Sequence, residues 1–575
     1  MNKKQKLLIF SMATGIFLCM LDTTIMNIAL PSIQTGLNVD LEQLSWALNI
    51  YTIVFAVFTI PFGRLADILG RNKVYLFGLV AFGGGGSLIS GLASNAMLLI
   101  AGRAVQSLGA AVVFPASMTI GISMVGMKQR KIALSVLGIT QGLAAAFGPT
   151  LGGIVTQYLG WRYIFFCNLP LVLLAGILSF CLLPLRKERT LAAKIDFLGM
   201  LLSMSLLFSL TLALVKGNDW GWQSGRVLLL GAVFISSFIL FVIVEHFSKS
   251  PMIPLALFRE RQFTGAALAV ILTGVFLVAI MVIMPTFLTK ILGKSELAAA
   301  FMITPTSLMI FFLSPIGGQF LEKIGPRLMI ATGFCLMVCG YLVLSLIDPR
   351  QYTQIVISLL LIGGGFGIIA GPVIFLGGAA EFTGEMLSAS QSVLGGLFRQ
   401  VGTLLAVAIF VSALTTNLKS AKTAALTAAN ARIAATSLPQ KSKKTFKARV
   451  QEEFAKEGTS KTTATEQTSK NTISKTTEQQ LVAAAYQKTI QKIPNGSALP
   501  QGKQTQIRAA VALKVKQELN RQQRIINTTT TKIQADTQNK LQNAFIKPFR
   551  QALPWIVLAS FSSLLFDRKK KAKQA

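Results

Sequence analysis

Runs of about 20 apolar residues recur along the whole chain, and they constrain its fold more than any other feature. Each run is long enough to cross roughly 30 Å of hydrocarbon as an α-helix. Only 13% of the residues are charged and 52% are hydrophobic, whereas a soluble protein carries about a quarter charged residues. We therefore expect an all-α polytopic membrane protein with about fourteen spans. The spans fall near residues 7–29, 45–65, 74–93, 97–117, 131–157, 161–183, 196–215, 226–246, 262–288, 297–318, 327–347, 352–376, 389–415 and 551–567.

Basic residues in the short loops predict the orientation of the chain, because Lys and Arg concentrate on the cytoplasmic side of membrane proteins. With the N-terminus inside, most basic loops fall in the cytoplasm, whereas the opposing loop at 30–44 contains no Lys or Arg. We therefore expect both termini to be cytoplasmic. The inside loops contain Arg64, Arg71 and Lys73; Lys128, Arg130 and Lys131; Arg186, Lys187, Arg189 and Lys194; Lys249, Arg259 and Arg261; and Lys323 and Arg327.

A long polar segment, residues 417–550, separates the last two spans. It contains 24 Lys and Arg against 7 Asp and Glu, and it supplies about half of the formal net charge of +33. Thirteen predicted spans precede this segment, so a chain whose N-terminus is inside places it outside. Its positive charge does not contradict this, since long loops cross a membrane largely regardless of their charge. Apolar residues recur at every fourth position from Ile507 to Leu519, which predicts an amphipathic helix over Gln504–Asn527. We expect a basic extracytoplasmic loop that is partly helical.

Asp22 lies inside the first span, in the stretch Leu21–Pro31. A charged residue near the middle of a membrane helix costs about 2.5–3.5 kcal/mol on insertion scales, so it usually faces a cavity or a partner. Burial favours the protonated form of a carboxyl, as a proton-coupling group requires. The alternative is a structural acid that Thr23, Asn27 or a neighbouring helix satisfies. Of the two, we favour proton coupling.

Arg103 and Gln106 lie in the fourth span, within Gly102–Ala110. With a rise of about 1.5 Å per residue, Arg103 and Asp22 each lie roughly 10 Å from the outer surface. The two charges are therefore level, and pairing would offset much of the burial cost of each. A switch between paired and unpaired states would gate a proton, and a static buried pair fits the sequence as well. The predicted proton-coupling or substrate site consists of Asp22, Arg103, Asn27 and Gln106.

Two further segments carry short motifs. The turn Gly63–Lys73, between the second and third spans, combines glycines that let helix ends approach closely with charges that can reach helix termini and phosphate headgroups. The fifth span contains Gly148, Gly152 and Gly153, small residues that permit close helix contact, and Pro149 allows a kink. From the residues alone, plain tight packing explains the fifth span equally well.

Together these segments resemble the motifs of the major facilitator superfamily, and in particular of its 14-helix drug:proton antiporter branch. The resemblance covers about residues 7–416 and the final span, and it includes Trp161–Pro170 and Pro254–Phe263. It implies a bundle of two six-helix halves plus two extra central helices, with a long polar insertion before the last helix. The implied regions are 1–184 (N-terminal half), 185–261 (extra helices), 262–416 (first five helices of the C-terminal half), 417–550 (basic loop) and 551–575 (last helix and basic tail).

The resemblance also implies proton-driven export of amphipathic, often cationic compounds across a bacterial cytoplasmic membrane, with the proton gradient as energy source and no cofactor. It assigns Asp22 as the proton or substrate carboxylate and Arg103 as its relay partner. It makes the turn Gly63–Lys73 a gating loop and the glycine-proline motif of the fifth span an antiporter hinge. The gating residues are Gly63, Asp67, Gly70, Arg71 and Lys73, and the hinge residues are Gly148, Pro149, Gly152 and Gly153.

The chain departs from this branch in two ways. Its later spans contain no second carboxylate at the place where some members bind divalent cations, and the thirteenth span offers Arg399 and Gln400 instead. This difference disfavours dicationic substrates. The outer loop at 417–550 is also much longer than this branch usually carries.

Two other functions stay open. One is proton-coupled transport of a specific metabolite or lipid, which needs the same chemistry at Asp22. The other is a membrane protein whose loop at 417–550 binds anionic envelope polymers, because clusters of Lys and Arg attract polyanions. Nucleic acid is a poor partner, since topology accounts for much of the cationic excess. No nucleotide loop, metal cluster or nucleophile constellation stands out, so we expect neither an enzyme nor a metal site.

Overall fold

The structure is a computed structural model, and the residues that it describes form helices joined by turns. The chain divides into two compact units. The first comprises Met1–Thr289, Lys294–Ala413 and Ile546–Ala575, and the second comprises Lys290–Gly293 and Leu414–Phe545. The described residues are 1–39, 41–186, 188, 190, 195–346, 351–374, 376–377, 382, 384–456, 475–493 and 499–567.

Long helices build the first unit. The helix that begins at Arg71 continues through the π-helical segment Ala81–Ser87 to Leu88–Gly91, and the short helix Tyr163–Phe166 precedes the helix that begins at Asn168. The helices in chain order are α1 Lys3–Leu37, α2 Leu41–Leu69, α3 Arg71–Val80, α4 Ala96–Ser123, α5 Met127–Tyr158, α6 Asn168–Leu182, α7 Phe197–Trp220, α8 Gly225–Phe247, α9 Arg261–Lys290, α10 Glu296–Ile324, α11 Pro326–Leu346 and α12 Tyr352–Ile374.

The next helix, α13, runs from the first unit into the second. It contains two π-helical segments, at Ser392–Phe398 and Val407–Val411, and its α-helical parts are Gly384–Gln391, Arg399–Ala406 and Ser412–Ala434. The remaining helices are α14 Gln440–Lys456, α15 Lys475–Gln491 and α16 Gln501–Ser560, and a 3-10 turn at Phe561–Leu565 follows α16.

Twelve helices in the described part of the chain are long and apolar enough to cross a membrane, which confirms the predicted polytopic bundle. The region predicted to hold two extra central helices, 185–261, contains α7 and α8. Two of the predicted spans are not among the twelve. The helix α5 runs through the predicted span 131–157, but several of its side chains, 131, 145, 146 and 149, lie outside the described ones, which leaves the shorter apolar stretch Ile132–Ala144. Residues 551–567 form the end of α16 and the 3-10 turn that follows it.

Side-chain caps fix where several of these helices begin. The Asn2 and Gln5 side chains each accept a hydrogen bond from the backbone N–H of the other residue at the start of α1. The Asn95 side chain accepts from the N–H of Leu98 in α4, at 2.9 Å. These contacts satisfy N–H groups that the first turn of a helix leaves unpaired, so the polar residues mark the helix ends.

Glycines bring α3 and α4 into close contact in the core of the N-terminal half. A Cβ atom on Gly86 would overlap the Cα and N atoms of Gln106, and one on Gly109 would overlap the backbone of Phe82. Gly86 belongs to the π-helical segment of α3, so the irregular turn lies against α4 at the residue that precedes Ser87. This contact places the backbones of Ser87 and Gln106 side by side in the middle of the bundle.

The second unit has a small apolar core of its own. Its members are contributed by α13, α14 and α16 together with the connection at Leu438, and they include Ala429, Ile433, Leu438, Phe446, Val450 and Ile533. An ion pair between Arg432 and Asp536 joins α13 to α16 at the edge of this core, with 2.5 Å between Nη2 and Oδ2. The stretch 504–527 is helical, as the spacing of its apolar residues indicated, and it forms part of α16.

Two glycine substitutions two residues apart test the contact between α3 and α4. We expect Gly86→Ala to lower the stability of the purified protein by about 1–3 kcal/mol, because the added methyl group overpacks a backbone contact that cannot yield. The measurement is thermal unfolding in one detergent. Gly84→Ala is the matched control, since its Cβ would meet only Val80 Cγ1, at 3.8 Å. Equal unfolding temperatures for the two variants would contradict the packing argument.

Candidate functional site

A charged cluster that is closed to solvent lies between α1 and α4. The side chains of Asp22 and Arg103 are 0% and 1% exposed. One Asp22 oxygen, Oδ2, accepts a hydrogen bond from Arg103 Nη1, and the other, Oδ1, accepts from Gln106 Nε2 at 2.8 Å. Arg103 Nη1 also donates to Gln106 Oε1, at 2.8 Å. Arg103 and Gln106 are three apart on one helix face, so a single turn of α4 holds the carboxylate with both side chains.

Sequence reasoning missed two members of this cluster, Ser87 and Asn168. Gln106 Nε2 donates to Ser87 Oγ at 2.9 Å, and Asn168 Nδ2 donates to Ser87 Oγ at 3.3 Å and to Asp22 Oδ1 at 3.4 Å. Asn168 begins α6, inside the Trp161–Pro170 segment that carries the family resemblance. A polar residue within an apolar span was the available signal, and it pointed to no partner until the helices were placed.

Aromatic rings and a carbonyl hold the Arg103 guanidinium in position. Its Cζ lies 4.2 Å from the ring centroid of Tyr51 and 6.0 Å from that of Phe165. Its Nε donates to the carbonyl of Ala47, at 3.4 Å. The cation is therefore stabilised by ring faces and by the Asp22 carboxylate, which together offset the loss of water.

Three side-chain donors surround Asp22. As a carboxylate, Asp22 accepts from Arg103, Gln106 and Asn168. A proton on Asp22 would cancel the charge attraction and leave the guanidinium, which keeps its charge, in need of another acceptor. The same geometry also describes a static pair. Asn27 lies in α1, but its side chain is outside the part of the chain that the structure describes, so its predicted place in the site stays a prediction.

The residues predicted to gate transport lie around the turn between α2 and α3. Arg71 Nε donates to Asp67 Oδ1 at 2.6 Å, and Asp67 is buried. Gly70 has a φ of +107°, a conformation that favours glycine, and it allows α3 to start directly after α2. Lys73 is exposed in the first turn of α3. At the far side of this turn, Gly63 faces α13, since a Cβ there would lie 2.8 Å from Ser392 Oγ.

Glu188, which sequence reasoning did not single out, caps α3 beside this gating loop. Its Oε1 accepts the backbone N–H of Asn72 at 2.6 Å. Burial raises the pKa of the Glu188 carboxyl above its usual range, while the N–H groups of Asn72 and Lys73 and the charges of Lys73 and Arg71 act in the opposite direction. A carboxylate at a helix N-terminus stabilises the exposed N–H groups, so Glu188 links the loop after α6 to the start of α3.

The glycines of the fifth-span motif pack α5 against two neighbouring helices. A Cβ on Gly148 would overlap Thr24 Oγ1, and one on Gly152 would lie 2.8 Å from Ile25 Cγ1, both in α1. A Cβ on Gly153 would lie 3.3 Å from Leu297 Cδ1, in α10. The helix continues through Pro149, whose own contacts lie outside the described side chains. The motif therefore permits close contact with α1, the helix that carries Asp22, and the hinge role stays a prediction.

The helical bundle and its buried cluster define a multi-pass membrane transporter. Residues 12–407 match the Major Facilitator Superfamily model. The chain therefore belongs to this superfamily, as its motifs indicated, and it is a transporter rather than an enzyme.

Comparison with known proteins places the chain among transporters of this kind. It is 32% identical over 376 residues to the Multidrug resistance protein Stp of Mycobacterium tuberculosis, across 65% of this chain and 69% of Stp. It is 31% identical over 404 residues to the Multidrug transporter protein MdtP of Bacillus subtilis, across 70% of this chain and 74% of MdtP. The structure of the human organic anion transporter MFSD10 (TETRAN) shares the fold, with a TM-score of 0.50 and 16% identity over 71% of this chain and 94% of that one.

A double-mutant cycle tests the energetic link between Asp22 and Arg103. We expect Arg103→Gln or Asp22→Asn alone to destabilise the protein by about 3–5 kcal/mol, because each leaves an uncompensated buried charge. The double variant should recover part of this loss, since two neutral amides remain. Thermal unfolding in one detergent measures all three. Arg432→Gln, which breaks the exposed pair with Asp536, should cost less than about 1 kcal/mol. Additive losses in the double variant would disprove the coupling.

Proposed function

We propose that this protein exports amphipathic drugs or toxic compounds across the cytoplasmic membrane in exchange for protons. The observation that carries the proposal is the Asp22–Arg103 pair, which lies in a transporter bundle and is closed to solvent. The names of the relatives Stp and MdtP support drugs as the cargo. The proton gradient supplies the energy, and no cofactor takes part.

In the proposed cycle, Asp22 exchanges a proton with one side of the membrane at a time. The deprotonated carboxyl holds Arg103, and the protonated carboxyl releases it. Release loosens α1 from α4, and α1 can then move along the small-residue face of α5, where Gly148 and Gly152 contact it. In this cycle the movement also changes the contact between the two halves beside the gating loop, where Gly63 of α2 meets Ser392 of α13.

A second contact between the halves supports a gate on this side of the bundle. Arg130, at the start of α5, donates to the carbonyl of Phe382 at 3.2 Å. A small cavity beside the gating loop is lined by Asp67 of the N-terminal half, Val393 of the C-terminal half and Met252 of the region between them. We place this gate, the gating loop and both termini on the cytoplasmic side, and the loop at 417–550 outside.

The decisive experiment is drug-evoked proton flux in proteoliposomes. We expect an amphipathic drug to drive proton movement through the wild-type protein, and Asp22→Asn to abolish this flux while retaining drug binding, because an amide cannot carry the proton. Glu260→Gln is the control for loss of one carboxylate, since Glu260 is exposed just before α9 and should leave the flux unchanged. Equal flux in wild type and Asp22→Asn would remove Asp22 from the mechanism.

The same chemistry also serves a proton-coupled transporter of one metabolite or lipid. The two functions differ in selectivity. Unrelated amphipathic drugs compete for transport by a multidrug exporter, whereas a dedicated carrier ignores them and responds to its single substrate. Competition between structurally unrelated compounds in the proteoliposome assay therefore separates the two.

The second unit suggests a separate binding role. Its cations are exposed along α16, including Lys514, Lys516 and Arg521, and such a surface attracts anionic envelope polymers. We expect the wild-type protein to bind long-chain polyphosphate with an affinity that falls as salt rises, and deletion of 420–545 to remove this binding with transport intact. Lost transport in the deletion variant would instead indicate a role of this segment in folding or in the cycle. Binding that salt does not weaken would contradict the proposal.

A further inference from the structure

A further cation, Arg399 in α13, is partly buried and does not belong to the cluster around Asp22. The sequence predicts the apolar span that contains it at residues 389–415. Ten residues further along a helix correspond to about 15 Å, which is half the thickness of the hydrocarbon core. A cation at this depth is costly, so its partners indicate what it does.

Arg399 contacts only neutral groups among the described residues. Its Nη1 donates to Gln141 Oε1, in α5, and its Nη2 lies 3.0 Å from Met20 Sδ, in α1. Its Cζ lies 5.4 Å from the ring centroid of Phe114, in α4. Arg399 therefore reaches from α13 to three helices of the N-terminal half, at the interface between the two halves.

The contrast with Arg103 defines the chemistry of this position. Arg103 has the Asp22 carboxylate, whereas no carboxylate of the described chain contacts Arg399. A guanidinium has five N–H donors in a planar fork that fits a carboxylate or a related anion. The amide of Gln141 and the thioether of Met20 leave part of this fork and all of its charge uncompensated.

The surroundings of Arg399 suit an amphipathic molecule. Met20 and Met118 are flexible and polarizable, and such side chains adapt to ligands of different shape. Gln141 Nε2 lies 3.8 Å from Met118 Sδ, and Arg399 Nη2 lies 3.0 Å from Met20 Sδ, so one methionine contacts Arg399 and the other contacts its partner Gln141. Phe114 adds an aromatic wall. One cation beside an apolar and adaptable surface would bind a molecule with one negative group and a hydrophobic body.

We propose that Arg399 binds the anionic group of the substrate, and that this exporter favours amphipathic compounds with a free carboxylate over their cationic counterparts. The inference rests on the proposed function only in treating the chain as an exporter. It assigns these two cations different tasks: Arg103 holds the proton-carrying carboxylate, and Arg399 binds the substrate.

A matched pair of dyes tests the proposal: a rhodamine with a free carboxylate and its methyl ester, which differ in that one charge. We expect the purified wild-type protein to bind the free acid about tenfold more tightly than the ester, as a charged hydrogen bond to Arg399 predicts. Arg399→Gln should reduce binding of the acid to that of the ester and leave the ester unchanged. Arg399→Lys should keep part of the preference. Fluorescence polarisation in detergent measures these affinities.

Arg226→Gln is the control for loss of one arginine, since Arg226 is exposed at the start of α8, and it should preserve the preference for the acid. A wild-type protein that binds the ester as well as the acid, or that fails to bind the acid, overturns the proposal. Equal weakening of both dyes by Arg399→Gln also overturns it. Dye export from proteoliposomes is scored separately. Export of both dyes without preference contradicts only the role of Arg399, whereas binding without export under a proton gradient contradicts the proposed export.

Discussion

The ion pair between Asp22 and Arg103 is the interaction on which the rest of the site depends. Neither charge is stable alone at this depth in a membrane, so each requires the other and a shell of further partners. Gln106, Ser87 and Asn168 supply that shell from three different helices. A single carboxylate thereby fixes the relative positions of α1, α3, α4 and α6.

Small residues make this pairing geometrically available. The polar side chains meet only because Gly86 lets α3 lie directly against α4, and because Gly148 and Gly152 let α5 lie directly against α1. In a membrane, where the hydrophobic effect does not drive helices together, close packing and polar contacts supply the association. The glycines that resemble a hinge motif are thus the same residues that hold the carboxylate helix in place.

The distribution of charge gives the bundle two distinct centres. The first is nearly neutral in sum, because Asp22 balances Arg103. The second is Arg399, whose partners Gln141 and Met20 carry no charge. In the proposed function, proton exchange involves the pair of Asp22 and Arg103, and substrate binding involves Arg399. The absence of a second carboxylate in the later spans, visible in the sequence, acquires a meaning once the surroundings of Arg399 are known.

The sequence by itself determined the membrane class, the superfamily, most of the spans, and the grouping of Asp22, Arg103 and Gln106, because hydropathy, helix rise and short motifs are local properties. Only the tertiary structure decided that Ser87 and Asn168 complete the cluster and that Glu188 caps α3. It also decided that Arg399 contacts Gln141 and Met20. These partners are separated by up to several hundred residues along the chain. Helical periodicity specifies which face of a helix is polar, but the packing of glycines and side chains specifies which other helix that face meets.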